Sequence, residues 1–348
     1  MVAYAGAVPE AVSTRVPVET MRSMAVLLLV SYHVIGAGDG SGLNIAYPHM
    51  LRLYADFFID LRMPLFAFIA GYVYALRPVT AGHYADFLGN KLRRLLIPGI
   101  LAITAFAIVA NVVGTRFAQP LSDLWYLLVT PYAHFWFLQS ALVIFVVFGL
   151  IDIVLSHRFT IVLLMASGAL CLSGFRFETS VMSVNGALYL LPFFLTGVVV
   201  LRHGTEIAEE AEKLTLVLLV LALVCAFWNI RVLYETGVFS MDRHDVQSLG
   251  FGVSVCLLAA MWCPRLPLLE RLSPYAFTIY LYHIFGTVPA RVFCDALGIG
   301  QTHLQFLLGL AGGLLIPVLI CEAVQRKPGL SELVTGRQRR LRSGLGAP

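Results

Sequence analysis

Apolar residues run through this chain in blocks roughly twenty long, separated by short polar turns that carry most of its arginine and lysine. A bilayer crossing needs about 20 apolar residues in a helix. On that measure the blocks fall at 21–38, 56–76, 95–113, 134–154, 158–173, 186–201, 213–230, 246–262, 274–291 and 303–324. The pattern predicts an all-α, polytopic integral membrane bundle of about ten transmembrane helices. One further apolar piece, 121–129, is too short to cross, and its Trp125 and Tyr126 suit an interfacial or re-entrant segment. The first block also has the outline of a signal peptide, with Arg22 as basic flank and small residues at 36–38. The spans that follow it need an anchor, however, and the block holds polar residues that suit a retained helix.

Composition agrees with the pattern. The 348 residues are 59% hydrophobic and 13% charged, with a mean hydropathy of +0.83, against about 25% charged in a soluble domain. Ten crossings use up 19–325, leaving a polar stretch at 1–18, expected to be a disordered cytoplasmic N-terminus, and a basic cytoplasmic tail at 326–348. The net charge of +4 is spread over many loops, which argues against a nucleic-acid partner. Six cysteines form no CxxC pair and stand beside no histidine in ligand spacing, so neither a metal nor a disulfide framework is expected. Lysine and arginine gather on the side that holds Arg22, Arg77, Lys91, Arg93, Arg94, Arg202 and the C-terminal tail. The positive-inside rule then puts both termini in the cytoplasm of a multi-pass cell-membrane protein.

Ionisable groups are costly within a membrane and stand out there. Arg22 and His33 are eleven residues apart on the first helix, so they share a face and are separated by about 16 Å along the axis. Arg62 on the second helix and His283 on the ninth fall at a depth close to that of His33. Taken singly, each has a structural explanation: a histidine can be an interhelical hydrogen bonder, and Arg62 can snorkel or pair with Asp60 or Asp56. Three such groups at one level point instead to a polar cavity. KLRR, 91–94, precedes the third span. It can be a topology anchor attracted to anionic lipid. Lys91 and Arg94 are also one turn apart and can face one phosphate group, so that with Arg22 they can hold a multi-phosphate ligand from the cytoplasm.

These segments resemble the membrane acyltransferase-3 family. ETMRSMAVLLLVSYH (19–33) is similar to the family's opening helix, an acidic residue, an arginine and a histidine eleven positions later. RMPLFAFIAGY (62–72) resembles its second-span pattern and NKLRRLLIP (90–98) its basic turn; HFWFLQSAL (134–142), LPFFLTG (191–197) and TIYLYH (278–283) follow in order. Two positions depart from the pattern: Ala70-Gly71 stands where Ser-Gly is usual, and Lys91 stands where the first of two arginines is often found.

The resemblance implies an O-acyltransferase that moves an acyl group, often acetyl, from cytoplasmic acyl-CoA to a hydroxyl of an envelope or exported glycan or a lipid-linked sugar. On this expectation Arg22, Lys91 and Arg94 bind the donor, His33 is general base on the acceptor hydroxyl, and Arg62 stabilises the oxyanion. Asp60 is the best available carboxylate to orient His33, and His283 and Trp136 are expected at the substrates. A transiently acylated His33 is a variant of the same scheme. Two readings from other classes stand beside it. A secondary transporter or flippase would share the midplane site and add discontinuous helices and internal repeats. A lipid-binding scaffold would leave the alignment of Arg22 with His33 unexplained.

Overall fold

The computed structural model describes residues 16–38 and 41–336, so the expectations for the N-terminal stretch before Val16 and for the tail beyond Gly336 lie outside the described residues. Among the described residues there are helices and no strands. They are α1 (Val18–Ile35), α2 (Met50–Phe57), α3 (Ile59–Leu76), α4 (Tyr84–Lys91), α5 (Ile97–Val113), α6 (Leu124–Val129), α7 (Trp136–Val154) and α8 (Thr160–Leu172). Then come α9 (Val184–Arg202), α10 (Ala211–Thr236), α11 (Val246–Trp262), α12 (Ala276–Tyr282), α13 (Ile284–Ala296), α14 (Thr302–Gln325) and α15 (Pro328–Thr335), with short turns between.

Seven helical segments are long and apolar enough to cross a membrane, and eight if α11 and the segment 267–282, bent by 107° at a four-residue break, form one span. The remaining expected spans are present as shorter helices. α8 has 13 residues, about 20 Å of rise against a hydrocarbon core of about 30 Å. The expected 274–291 span is divided at His283 into α12 and α13. The 121–129 piece becomes α6, six residues long, with Trp125 and Tyr126 exposed as expected of an interfacial segment.

The centre of the bundle is the crossing of α3 and α9. A methyl group on Gly71 would run into the Phe194 carbonyl, and one on Gly197 into the Phe68 carbonyl. The two backbones therefore touch where the glycines face each other, the small-residue contact that membrane helices use for close approach. In α3, Pro64 has no N–H to give the carbonyl of Asp60, and α11 approaches that carbonyl at Gly252. α10 and α14 bury little of their surface and present it outward, as lipid-facing helices do.

Polar locks hold the two ends. Asp152 of α7 is 2% exposed. It takes a bidentate contact from Arg202 at 2.8 and 2.6 Å, a hydrogen bond from Tyr74 at 2.9 Å, and one from His157 at 2.8 Å. Arg202 also donates to Thr160 at 2.6 Å, so three helices meet on one carboxylate and α8 is tied to it through Arg202. At the opposite end Arg52 is buried, ion-paired with Asp56, and donates to the Gly36 carbonyl that closes α1. Tyr47 donates to Asp56 at 2.6 Å and receives the Phe239 N–H at 3.2 Å. Burial and Asp56 push its phenol up to about 12, so it stays a donor.

The first residues of the expected tail fold back as α15. Glu332 pairs with Arg93 at 3.3 Å, the Val334 carbonyl accepts from Tyr282 at 3.2 Å, and Gly336, at φ +67°, lies against the Arg94 carbonyl. The basic turn is thereby held against α12.

Candidate active site

His33 is in the last turn of α1. Its Nδ1 lies 2.8 Å from the carbonyl oxygen of Leu29, one turn back on the same helix. A carbonyl only accepts, so Nδ1 carries the proton and Nε2 carries the lone pair. His33 keeps partial exposure, whereas the groups around it are buried.

Two further imidazoles meet it. His283, fully buried at the break between α12 and α13, has its Nδ1 3.0 Å from the carbonyls of both Ile279 and Tyr280, and its Nε2 has no hydrogen-bond partner. His134 precedes α7 in a short turn begun by Ala133 at φ +45°. It hydrogen-bonds the Leu281 backbone, and its Nε2 is likewise buried and unpartnered. The ring centroids are 4.7 Å apart for His33–His283, 4.8 Å for His134–His283 and 5.7 Å for His33–His134. Tyr280 fixes the His134 turn by donating to the His134 carbonyl at 2.8 Å while accepting the Leu138 N–H at 3.2 Å.

Arg62 enters from the first turn of α3 and is 5% exposed. Its guanidinium carbon lies 3.5 Å from the ring centroid of Tyr32, the neighbour of His33, in a cation–π contact. Its Nε and Nη1 have no hydrogen-bond partner. The charged or imidazole groups that act on His33 are His283, His134 and Arg62. The site thus holds three histidines, two of them with bare acceptor nitrogens, beside an arginine with bare donors. Among the described residues no group of three or more histidine, cysteine or acidic side chains is placed to hold a metal ion. What this geometry can do is accept a proton at an imidazole Nε2 while the unpaired guanidinium N–H groups of Arg62 stand ready for a developing negative charge.

Of the residues singled out from sequence, His33, Arg62 and His283 come together. Asp60 does not join them: its neighbours are Ser248, Asp245, Arg243 and Arg62, and the group that orients the His33 ring is the Leu29 carbonyl. Asp60 lies toward α11, where Ser248 and the preceding Arg243 and Asp245 are its neighbours, and not toward His33. Trp136 opens α7 and lies 5.9 Å from Arg243. Arg22 is at the other end of α1 from His33, where it donates to Ser273 at 3.0 Å. Lys91 rests on the Phe145 ring at 3.5 Å with Arg94 as a charged neighbour, and Arg94 is exposed. A π-turn over Leu92–Leu96 widens the helix at this point.

His134 was not identified from sequence, where it reads as the first letter of an aromatic run. The signal that could have found it is a polar ring between a non-crossing apolar piece and the start of a span. Tyr189 and Arg243, which act on Asp60 and Arg62, were missed as well.

A family model described as an acyltransferase domain matches residues 17–322. No curated protein and no solved structure matches the chain.

Proposed function

This chain belongs to the acyltransferase-3 family, and from that premise we propose that it is a membrane O-acyltransferase that moves an acyl group, acetyl by preference, from acyl-CoA to a hydroxyl of an exported or envelope glycan or a lipid-linked sugar. The observation that carries the reading is the tautomer of His33. With Nδ1–H given to Leu29, Nε2 is a free base in a cluster that also holds Arg62.

The donor binds at the basic end, which faces the cytoplasm, with its phosphates on Lys91, Arg94 and Arg22. Its pantetheine arm spans the distance from there to His33, about 16 Å along α1. Nε2 of His33 takes the proton of the acceptor hydroxyl as its oxygen attacks the thioester carbon. The tetrahedral oxyanion forms beside Arg62, whose bare Nε–H and Nη1–H are the donors it needs in a low-dielectric site. Collapse breaks the C–S bond, and the proton held on His33 leaves with the coenzyme A thiolate, so the histidine returns neutral. His283 and His134 orient the reacting groups through their unpartnered Nε2 atoms.

The break between α11 and the segment 267–282 is a feature also expected of a transporter, and the test separates the two readings. The direct test uses purified protein with radiolabelled acetyl-CoA and total envelope glycan. Label in the glycan with equimolar release of coenzyme A supports transfer. Movement of an acceptor across vesicles without any acyl donor supports transport instead. Mass spectrometry of surface polysaccharide from a deletion strain identifies the acceptor.

A further inference from the structure

Beyond Arg62 lies a second polar group that the acyl-transfer scheme does not use. Asp60 is 3% and Tyr189 4% exposed, yet Asp60 Oδ1 and the Tyr189 hydroxyl have no hydrogen-bond partner. A buried polar atom left unpaired is costly, and two of them in one place, Asp60 Oδ1 and the Tyr189 hydroxyl, point to a partner that arrives from outside.

The groups converge from three parts of the fold. Tyr189 on α9 has Arg243, Asp60 and Arg62 as charged neighbours, and Asp60 on α3 has Ser248 as a hydrogen-bonding neighbour and Asp245, Arg243 and Arg62 as charged ones. The Arg243 guanidinium, from the loop before α11, lies 5.9 Å from both the Tyr189 and the Trp136 rings. Burial grades along this line: Arg243 and Trp136 are half-buried, while Tyr189, Asp60 and Arg62 are closed off. The line ends at Tyr32, whose ring is 5.4 Å from that of His33. These side chains form a continuous polar line from the half-buried Arg243 and Trp136 to the histidine cluster.

The chemistry of the floor selects the occupant. A carboxylate oxygen needs a donor, guanidinium N–H groups need acceptors, and a phenol can use either. A hydroxyl meets all three demands, and several on one ring can meet them together. Asp60 and Asp245 oppose Arg62 and Arg243, which fits a ligand without net charge, and the Trp136 ring offers an apolar face. We propose that Asp60, Tyr189, Arg243 and Trp136 form the acceptor subsite for an uncharged, hydroxyl-rich ring, and that it presents one hydroxyl to His33 past Arg62. The inference rests on the acyl-transfer reading for the direction of that hydroxyl. It makes Asp60 a substrate-binding residue instead of a partner of His33.

The test is equilibrium binding, which needs no turnover. The full chain, purified in a detergent without a sugar headgroup, is titrated with maltose, methyl glucoside, N-acetylglucosamine and glucuronate while tryptophan emission is followed. At least one neutral sugar should give a saturable change that Trp136→Phe removes. Asp60→Asn and Tyr189→Phe should raise its half-saturating concentration about tenfold or more, at an unchanged melting temperature. No saturable change with any neutral sugar overturns the proposal, as does wild-type affinity in both variants or preferential binding of glucuronate. Sugar binding without any acyl transfer by the wild type would refute the functional reading and leave the subsite standing. Transfer with unaltered sugar affinity in Asp60→Asn and Tyr189→Phe would do the reverse.

Discussion

The Nδ1 of His33 and the carbonyl oxygen of Leu29 are 2.8 Å apart on successive turns of one helix. The backbone of α1 therefore sets the tautomer that many enzymes set with a carboxylate, and it does so without placing a second charge in the membrane. A base built this way works only while neutral. With acetyl-CoA and a glycan acceptor, kcat/KM should fall about tenfold per pH unit below the titration of His33 and level off above it. The pH profile of coenzyme A release checks this; a flat profile from acid to neutral pH would exclude His33 as base. His134, His283 and Arg62 face the same ring, so replacing His283 with Gln should displace the midpoint without removing the limb.

The Lys91–Arg94 turn is expected to act on the donor alone. Arg94→Ala should raise the KM for acyl-CoA about tenfold, the scale of one lost hydrogen bond to a charged group, and leave kcat within about twofold. Arg94→Lys should recover part of the loss, because charge is kept while the planar fork is removed. A fall in kcat with KM unchanged would place Arg94 outside the donor site.

Gly71 and Gly197 allow α3 and α9 to touch. Gly71→Ala should cost about 1–3 kcal/mol as an overpacked contact, read as a lower melting temperature in detergent. Gly89→Ala, at a position open on all sides, should leave melting unchanged. Equal melting of both variants would contradict the contact.

Asp152 is satisfied by Arg202, Tyr74 and His157 together. Arg202→Ala leaves a buried carboxylate short of its cation and should destabilise the protein by about 3–5 kcal/mol. Removing the charge in the double variant Asp152→Asn, Arg202→Ala should restore a large part of that. Thermal melting of the single and double variants decides, and additive losses would argue against a coupled pair.

Much of this was legible in the sequence because the bilayer makes polar residues conspicuous. The long spans follow from apolar run length, and His33, Arg62 and His283 stand out because little else in their helices ionises. Three things were not legible. The rotation of α3 against α11 decides that Asp60 faces Ser248 and not His33, and no spacing rule carries that angle. His134 acts from a turn whose shape depends on Tyr280, 146 residues away. The short α8 and the break at His283 reflect helix ends set by packing, while run length alone suggested full crossings. Gly71, which keeps the family pattern beside the Ala70 departure, meets the Phe194 carbonyl, and nothing in the structure explains Ala70.

The central claim is that His33 drives acyl transfer, and one measurement bears on it most directly. Purified wild type and His33→Ala are compared for transfer of label from acetyl-CoA to glycan, at matched protein amount and melting temperature. Loss of a general base should lower the rate by about 10²–10⁴-fold, with acyl-CoA affinity retained. Transfer by His33→Ala at the wild-type rate would contradict the account.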